Sequence, residues 1–317
     1  MRIVFLGTPA VAVPSLKALV DERHEIPLVV TRADRPAGRS GRPLAPPVKH
    51  AACELGLEVH QPTRVKNRAF LDEVRRHRPE ILVVVAYGRI LTQEVIDAAP
   101  AGAVNVHFSL LPRYRGAAPV QWALARGERT TGVTTMQINA RLDEGDILLQ
   151  REVPIAEGEH APALHERLAV EGARLLTQTL TGVSAGSLEP RVQDPEAATY
   201  APMLKSEDGE VDPALGAGEI DGRVRGFDPW PGVWLARAGR RIRLVEARDS
   251  GRVATGADPG QVLGLEDEAL IVACGGGSLL LVTRVQPEGR RVMAVRDAVN
   301  GRQLVPGDRL ERIGVAR

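Results

Sequence analysis

Aromatic residues make up only 3% of this 317-residue chain, so its apolar packing falls on Val, Leu, Ala and Ile. Cysteine is nearly absent. Cys53 and Cys274 lie far apart and outside any CxxC or Cys/His spacing, which argues against a disulfide framework and a structural metal site. No run approaches the roughly 20 apolar residues needed to span a bilayer, and MRIVFLGTP enters a strand without an apolar signal region. These absences lead to the expectation of a cytoplasmic protein with no membrane partner. Net charge is also missing: 41 basic against 40 acidic residues give +1, so no global field draws the chain to nucleic acid, and any RNA contact must use local patches. The GxGxxG spacing is absent after the first strand, where Gly7-Thr8-Pro9 reads as a turn, and no GxxxxGK[ST] occurs. Dinucleotide and P-loop chemistry are therefore set aside.

The length suits two domains, and 44% hydrophobic with 26% charged residues is ordinary for a globular chain. Short apolar runs alternate with amphipathic stretches in the first half, the pattern of an α/β, Rossmann-like, mostly parallel sheet with crossover helices. Strands are predicted at 2–6, 26–31, 57–60, 81–86 and 103–107, with helices at 10–21, 47–55, 68–77 and 160–180. The run ILVVVA is apolar on both faces and belongs at the sheet centre. From Val183 a Ser, Gly, Pro and acid-rich stretch reads as a linker. Beyond it VWLARAG, RIRLVEAR, GQVLGLE, ALIVACG and LLLVTRV are short strands between Gly-rich turns, which points to a small β-barrel. The expected division is 1–183, a linker at 184–207, and 208–317.

Chemistry concentrates in NVHFSLLPRYRGAAPVQ (105–121) and LDEGD (142–146). Asn105 and His107 are two residues apart on a predicted strand, so their side chains share a face, at the carboxyl end where open α/β sheets gather ligands. Together with Asp143 they form a set suited to steadying the oxyanion made when an amine attacks a carbonyl carbon. The amide and an imidazolium would each donate to the oxyanion, while Asp143 would orient His107 and relay a proton through water. A second feature is the loop TRADRPAGRSGRPLAPP (31–47), with Arg32, Arg35, Arg39 and Arg42 among glycines and prolines; composition alone allows a plain solvated loop.

These residues resemble the formyltransferases that use 10-formyltetrahydrofolate, most closely those whose acceptor is methionyl-tRNA. GTP (7–9), DRPAGR (34–39), VVVAYGRIL (83–91), NVHFSLLPRYRGAAPVQ, TGVT (131–134), LDEGDIL (142–148) and FDPWPG (227–232) look like that family's signatures in its order, over nearly the whole chain. The resemblance implies Asn105, His107 and Asp143 as the catalytic centre. It places Ser109, Leu110, Leu111 and Pro112, with Tyr87 and Gly88, against the folate. It also implies a tRNA contact through Arg35, Arg39, Arg42 and Lys205, and an OB-like barrel that meets tRNA with basic residues. Arg39 best matches the position that senses the unpaired end of the initiator acceptor stem, and arginine suits stacking on an exposed base. Family members often carry Gly or Ala where this chain has Phe108. The implied reaction moves the formyl group from 10-formyltetrahydrofolate to the amino group of methionine on initiator tRNA, in a monomer with no metal. Rival acceptors are an amino sugar nucleotide or glycinamide ribonucleotide, served by the same three polar residues. A non-catalytic RNA-binding protein is the more distant alternative. The arginine loop, GAAPVQ and the barrel favour tRNA.

Overall fold

The computed structural model describes residues 1–37 and 42–314, without the side chains of residues 37 and 42. Its first strands are β1 (Arg2–Gly7), β2 (Glu25–Val30), β3 (Arg35–Ala37), β4 (Arg42–Leu44), β5 (Val59–His60), β6 (Ile81–Val85), β7 (Ala103–His107), β8 (Thr130–Gln137) and β9 (Ile147–Pro154). The accompanying helices are α1 (Val13–Asp21), α2 (Pro47–Glu54), α3 (Arg68–Arg76), α4 (Gln93–Ile96), α5 (Pro119–Ala125) and α6 (Ala161–Ala185). Two compact units share the chain. One takes Met1–Gly116, Thr130–Pro154 and His165–Tyr200, and the other takes Ala117–Arg129, Ile155–Leu164 and Ala201–Arg317.

The first unit is a seven-stranded sheet in the order β5-β2-β1-β6-β7-β8-β9. Its first five strands run parallel, and β8 and β9 add an antiparallel edge. All five residues of β6 are buried at the middle of this order, as the two-faced apolar run ILVVV requires. The α3 helix starts where the Asn67 side chain accepts the Phe70 N–H at 2.9 Å, and it buries Phe70, Leu71 and Val74. Gly172 of α6 lets that helix close on the sheet: a Cβ there would stand 2.9 Å from Val106 Cγ1 and 3.4 Å from the Phe108 ring. Phe108 is thus a buried filler under α6, which accommodates its bulk within the core. Gly172→Val is expected to lower unfolding stability by about 2 kcal/mol through overpacking, read from the urea midpoint; an unchanged midpoint would show that α6 can lift off at no cost.

The second unit carries α7 (Ala217–Gly226), β10 (Val233–Arg237), β11 (Arg240–Val253), β12 (Val262–Glu266), β13 (Ala269–Ala273), β14 (Ser278–Pro287), β15 (Met293–Ala294) and α8 (Val295–Asn300). Its antiparallel order is β10-β11-β14-β13-β12, matching the five short segments singled out after the linker. Residues 308–311 bridge the two outer strands. Ala236 and Glu311 exchange backbone hydrogen bonds at 2.7 and 2.9 Å on one side, and Leu310 N–H reaches Gly260 O at 2.8 Å on the other, so the sheet closes into an OB-like barrel. Gly260 is obligatory there: its φ is +87°, and a Cβ would lie 1.9 Å from Leu310 O. Val233, Leu244, Val272, Leu280 and Phe227 are among the residues filling this core.

Candidate active site

β7 ends at His107 in a parallel stretch, between β6 and the antiparallel β8. Asn105 and His107 leave the same face of β7, as alternation demands. Asn105 is half-buried, and its amide makes no hydrogen bond to the described residues. His107 is 6% exposed. Its Nε2–H donates to the Tyr114 carbonyl at 2.9 Å, which assigns the tautomer and leaves Nδ1 free for chemistry. Nδ1 lies 3.8 Å from Asp143 Oδ2, close enough for charge to be felt and too far for a direct hydrogen bond. The ring is therefore aimed by a backbone carbonyl, a partner that side-chain reasoning does not reveal.

The loop that follows β7 is bent back to supply that carbonyl. Tyr114 has φ +61° and Gly116 φ +118°, and the Gly116 N–H donates to Asp143 Oδ2 at 2.8 Å. Asp143 itself sits at φ +53°, a conformation that costs a non-glycine residue about 1–3 kcal/mol and persists only where surroundings impose it. Residues 191–200, read from composition as linker, run along this loop. The Tyr114 N–H reaches Thr199 Oγ1 at 2.8 Å, the Arg115 N–H reaches Thr199 O at 2.8 Å, and Arg191 and Ile147 exchange backbone hydrogen bonds at 2.8 Å.

The SLLP segment is anchored from β8 and β9. Thr134 Oγ1 donates to Ser109 O at 2.6 Å and accepts the Leu111 N–H at 3.1 Å. Gln150 Nε2 donates to Leu111 O at 2.8 Å, and Ser109 Oγ donates to Arg113 O at 2.6 Å. Gly132 makes room for Leu110, since a Cβ there would fall 2.5 Å from Leu110 Cδ2. The TGVT sequence is thus the seat of the segment. Pro112 follows a cis peptide and is partly exposed.

Tyr87 and Gly88 follow β6. Gly88 has φ +76°, and Tyr87 is 1% exposed with a hydroxyl that meets no hydrogen-bond partner among the described residues. Burial pushes this phenol up to about 12, so it stays a neutral donor at physiological pH. Arg35 pairs as Arg35↔Leu44 in the β3–β4 hairpin and is exposed; Arg42 opens β4. Arg39 lies outside the described residues. The hairpin is rooted at Asp34, whose carboxyl the Gln61 amide and the Lys49 ammonium hold below the usual carboxylate range, at 2.7 and 2.8 Å. Lys205, in the second unit, is exposed beside Glu207. Asn105, His107 and Asp143 are brought together in the first unit. Among the described residues one His/acid group could ligate a metal, Glu58, Glu73 and His77. It lies by the far edge strand β5, where Arg76 pairs with both carboxylates.

An open sheet thus presents an amide, a tethered imidazole and a carboxylate together, groups of the kind that acyl-type transfer calls for. Residues 1–180 match the formyl transferase family, and residues 203–303 match the formyl transferase C-terminal domain. The chain is 48% identical to a methionyl-tRNA formyltransferase of Solibacter usitatus, over 98% of each chain. It is 43% identical to one of Geobacter sulfurreducens, over 99% of this chain and 98% of that one. Among solved structures, the N-formyltransferase of Helicobacter canadensis in complex with folinic acid and dTDP-3-aminofucose superposes with TM-score 0.68 at 17% identity, over 90% of this chain and 99% of that one. HypX of Aquifex aeolicus in complex with tetrahydrofolic acid gives TM-score 0.63 at 18% identity, over 97% of this chain and 48% of that one. These last two likenesses establish a common fold. The chain belongs to the formyl transferases and, within them, to the methionyl-tRNA formyltransferase family.

Proposed function

We propose that this chain transfers the formyl group of 10-formyltetrahydrofolate to the free amino group of methionine on initiator methionyl-tRNA, producing N-formylmethionyl-tRNA for translation initiation. Near-full-length identity to methionyl-tRNA formyltransferases carries this reading. In it, Asn105, His107 and Asp143 are catalytic. The amine attacks the formyl carbon, a C–N bond forms, and the carbonyl oxygen becomes an oxyanion to which the Asn105 amide donates. The amine proton leaves by way of His107 Nδ1 and Asp143, N10 of the folate regains a proton, and the C–N10 bond breaks. Because an α-amino group has a reference pKa of about 7.7–8.0, part of the acceptor amine is already uncharged at physiological pH, and positioning carries most of the remaining work.

Ser109, Leu110, Leu111 and Pro112, with Tyr87 and Gly88, line the folate in this reading. The SLLP backbone, fixed by Thr134 and Gln150, supports this reading as a rigid wall for a bound ligand. Arg35, Arg39, Arg42 and Lys205 contact tRNA. The reaction uses no metal, the protein is a monomer, and it works in the cytoplasm. Residues 1–183 carry catalysis and 208–317 carry tRNA binding, joined by 184–207. Tetrahydrofolate release on mixing donor with charged initiator tRNA tests the reaction; release that is equally fast with uncharged tRNA would sink it. Arg39→Ala is expected to reduce the initiator-to-elongator preference about 5- to 150-fold, the scale of one lost arginine contact of about 1–3 kcal/mol. An unchanged preference would remove the loop from recognition.

A further inference from the structure

Asp143 occupies a strained backbone conformation inside LDEGD, and its carboxylate accepts the Gly116 N–H. Something must hold the peptide on either side of it. Gln193, from the stretch that composition marks as linker, does so with every atom of its amide. Its Nε2 donates to Asp143 O at 2.9 Å and to Gly145 O at 2.7 Å, while its Oε1 accepts from Arg115 Nε at 3.0 Å and Nη2 at 2.8 Å. The remaining arginine nitrogen, Nη1, lies 3.3 Å from Glu144 Oε1. Gln193 and Arg115 are 6% and 4% exposed, so water does not compete for these bonds. Gly145 packs against the Gln137 carbonyl, where a Cβ would lie 1.7 Å away, so only glycine lets the loop approach β8 this closely.

The amide orientation is decided by its partners. A flipped Gln193 would set its N–H groups against the Arg115 guanidinium and its oxygen against two carbonyls, so only one orientation satisfies all of them. That asymmetry has a chemical consequence: glutamate keeps the length and the acceptor for Arg115 but turns an oxygen toward the carbonyls of Asp143 and Gly145.

We infer that Gln193 is a positioning residue for the formyl transfer, a buried clamp that, with Arg115, holds the Asp143 carboxylate at its working distance from His107. The inference rests on the reading of Asp143 given above. Gln193 touches no reacting atom and acts only through the loop.

The test is a double-mutant cycle of Q193E with D143N, read as kcat and as KM for donor and tRNA under saturating partner. Q193E is expected to lower kcat at least about tenfold with both KM values within about twofold, because the loss lies in a step after binding. In the D143N background Q193E is expected to change kcat by less than about twofold, since the group being positioned is already gone. An equal proportional loss in both backgrounds, or a Q193E kcat within about twofold of wild type while D143N is crippled, would overturn the clamp. A D143N enzyme with wild-type turnover would instead overturn the reading of Asp143 on which the clamp depends. Should Q193E not fold, Q193N carries the same cycle, because its shorter side chain cannot span both carbonyls and the guanidinium.

Discussion

Replacing His107 by alanine is expected to lower kcat by about 10²–10⁴-fold, the usual worth of a positioned proton-transfer group, with tRNA affinity held within about twofold. The size of the effect follows from how completely the ring is committed. Its Nε2–H is spent on the Tyr114 carbonyl, and the ring lies 6% exposed at the end of β7, so Nδ1 is the ring atom left for proton transfer beside Asp143. The variant should remain folded, because the strand on which it sits is held by Val104 and Val106, both in the core. Filter binding of charged tRNA and single-turnover formylation check the two halves separately. A His107→Ala enzyme with turnover near wild type would remove the imidazole from the chemistry.

Asn105→Ala should cost about 10²–10³-fold in kcat, the scale of one lost oxyanion donor, or about 2.7–4 kcal/mol. Asn105 is half-buried and its amide is unspent on the described residues, so the donor is available to a substrate oxygen without breaking a bond within the protein. Asn105→Asp should be worse than alanine, since it sets a carboxylate against the developing negative charge. The order Asn, then Ala, then Asp in single-turnover rate is the expected pattern; Asp above Ala would place the oxyanion elsewhere.

Much of this fold could be read from periodicity. ILVVV announced a central strand because only a strand covered on both faces is apolar at every position, and β6 is the middle of seven. The five short apolar segments after residue 230 match β10 to β14 because Gly-rich turns mark their ends. Predicted helices differ from the observed ones by a few residues, and 10–21 resolves into a 3-10 turn at Ala10–Ala12 followed by α1. The elements that sequence reading missed lack that periodicity. β8, TTGVTTMQ, is a strand of threonines, and α5 and α4 are too short for a helical period to declare itself.

In the site, Asn105, His107 and Asp143 are visible as residue types and spacing. The groups that hold them are not. Tyr114 acts through its backbone carbonyl, which any residue would carry, and Gln193 is one polar side chain in a Pro- and acid-rich stretch. Thr134 and Gln150 reach the SLLP segment only because β8 and β9 fold beside it. TGVT reads as a signature in the sequence, whereas its role as the seat of the SLLP segment shows only in the fold.

The most direct test of the central claim follows label from the formyl carbon of 10-formyltetrahydrofolate into parallel acceptors: charged initiator methionyl-tRNA, elongator methionyl-tRNA and an amino sugar nucleotide. Label is expected on the initiator methionine at a rate well above the other two. Transfer to the sugar amine with none to tRNA would keep the chemistry of Asn105, His107 and Asp143 and contradict the acceptor.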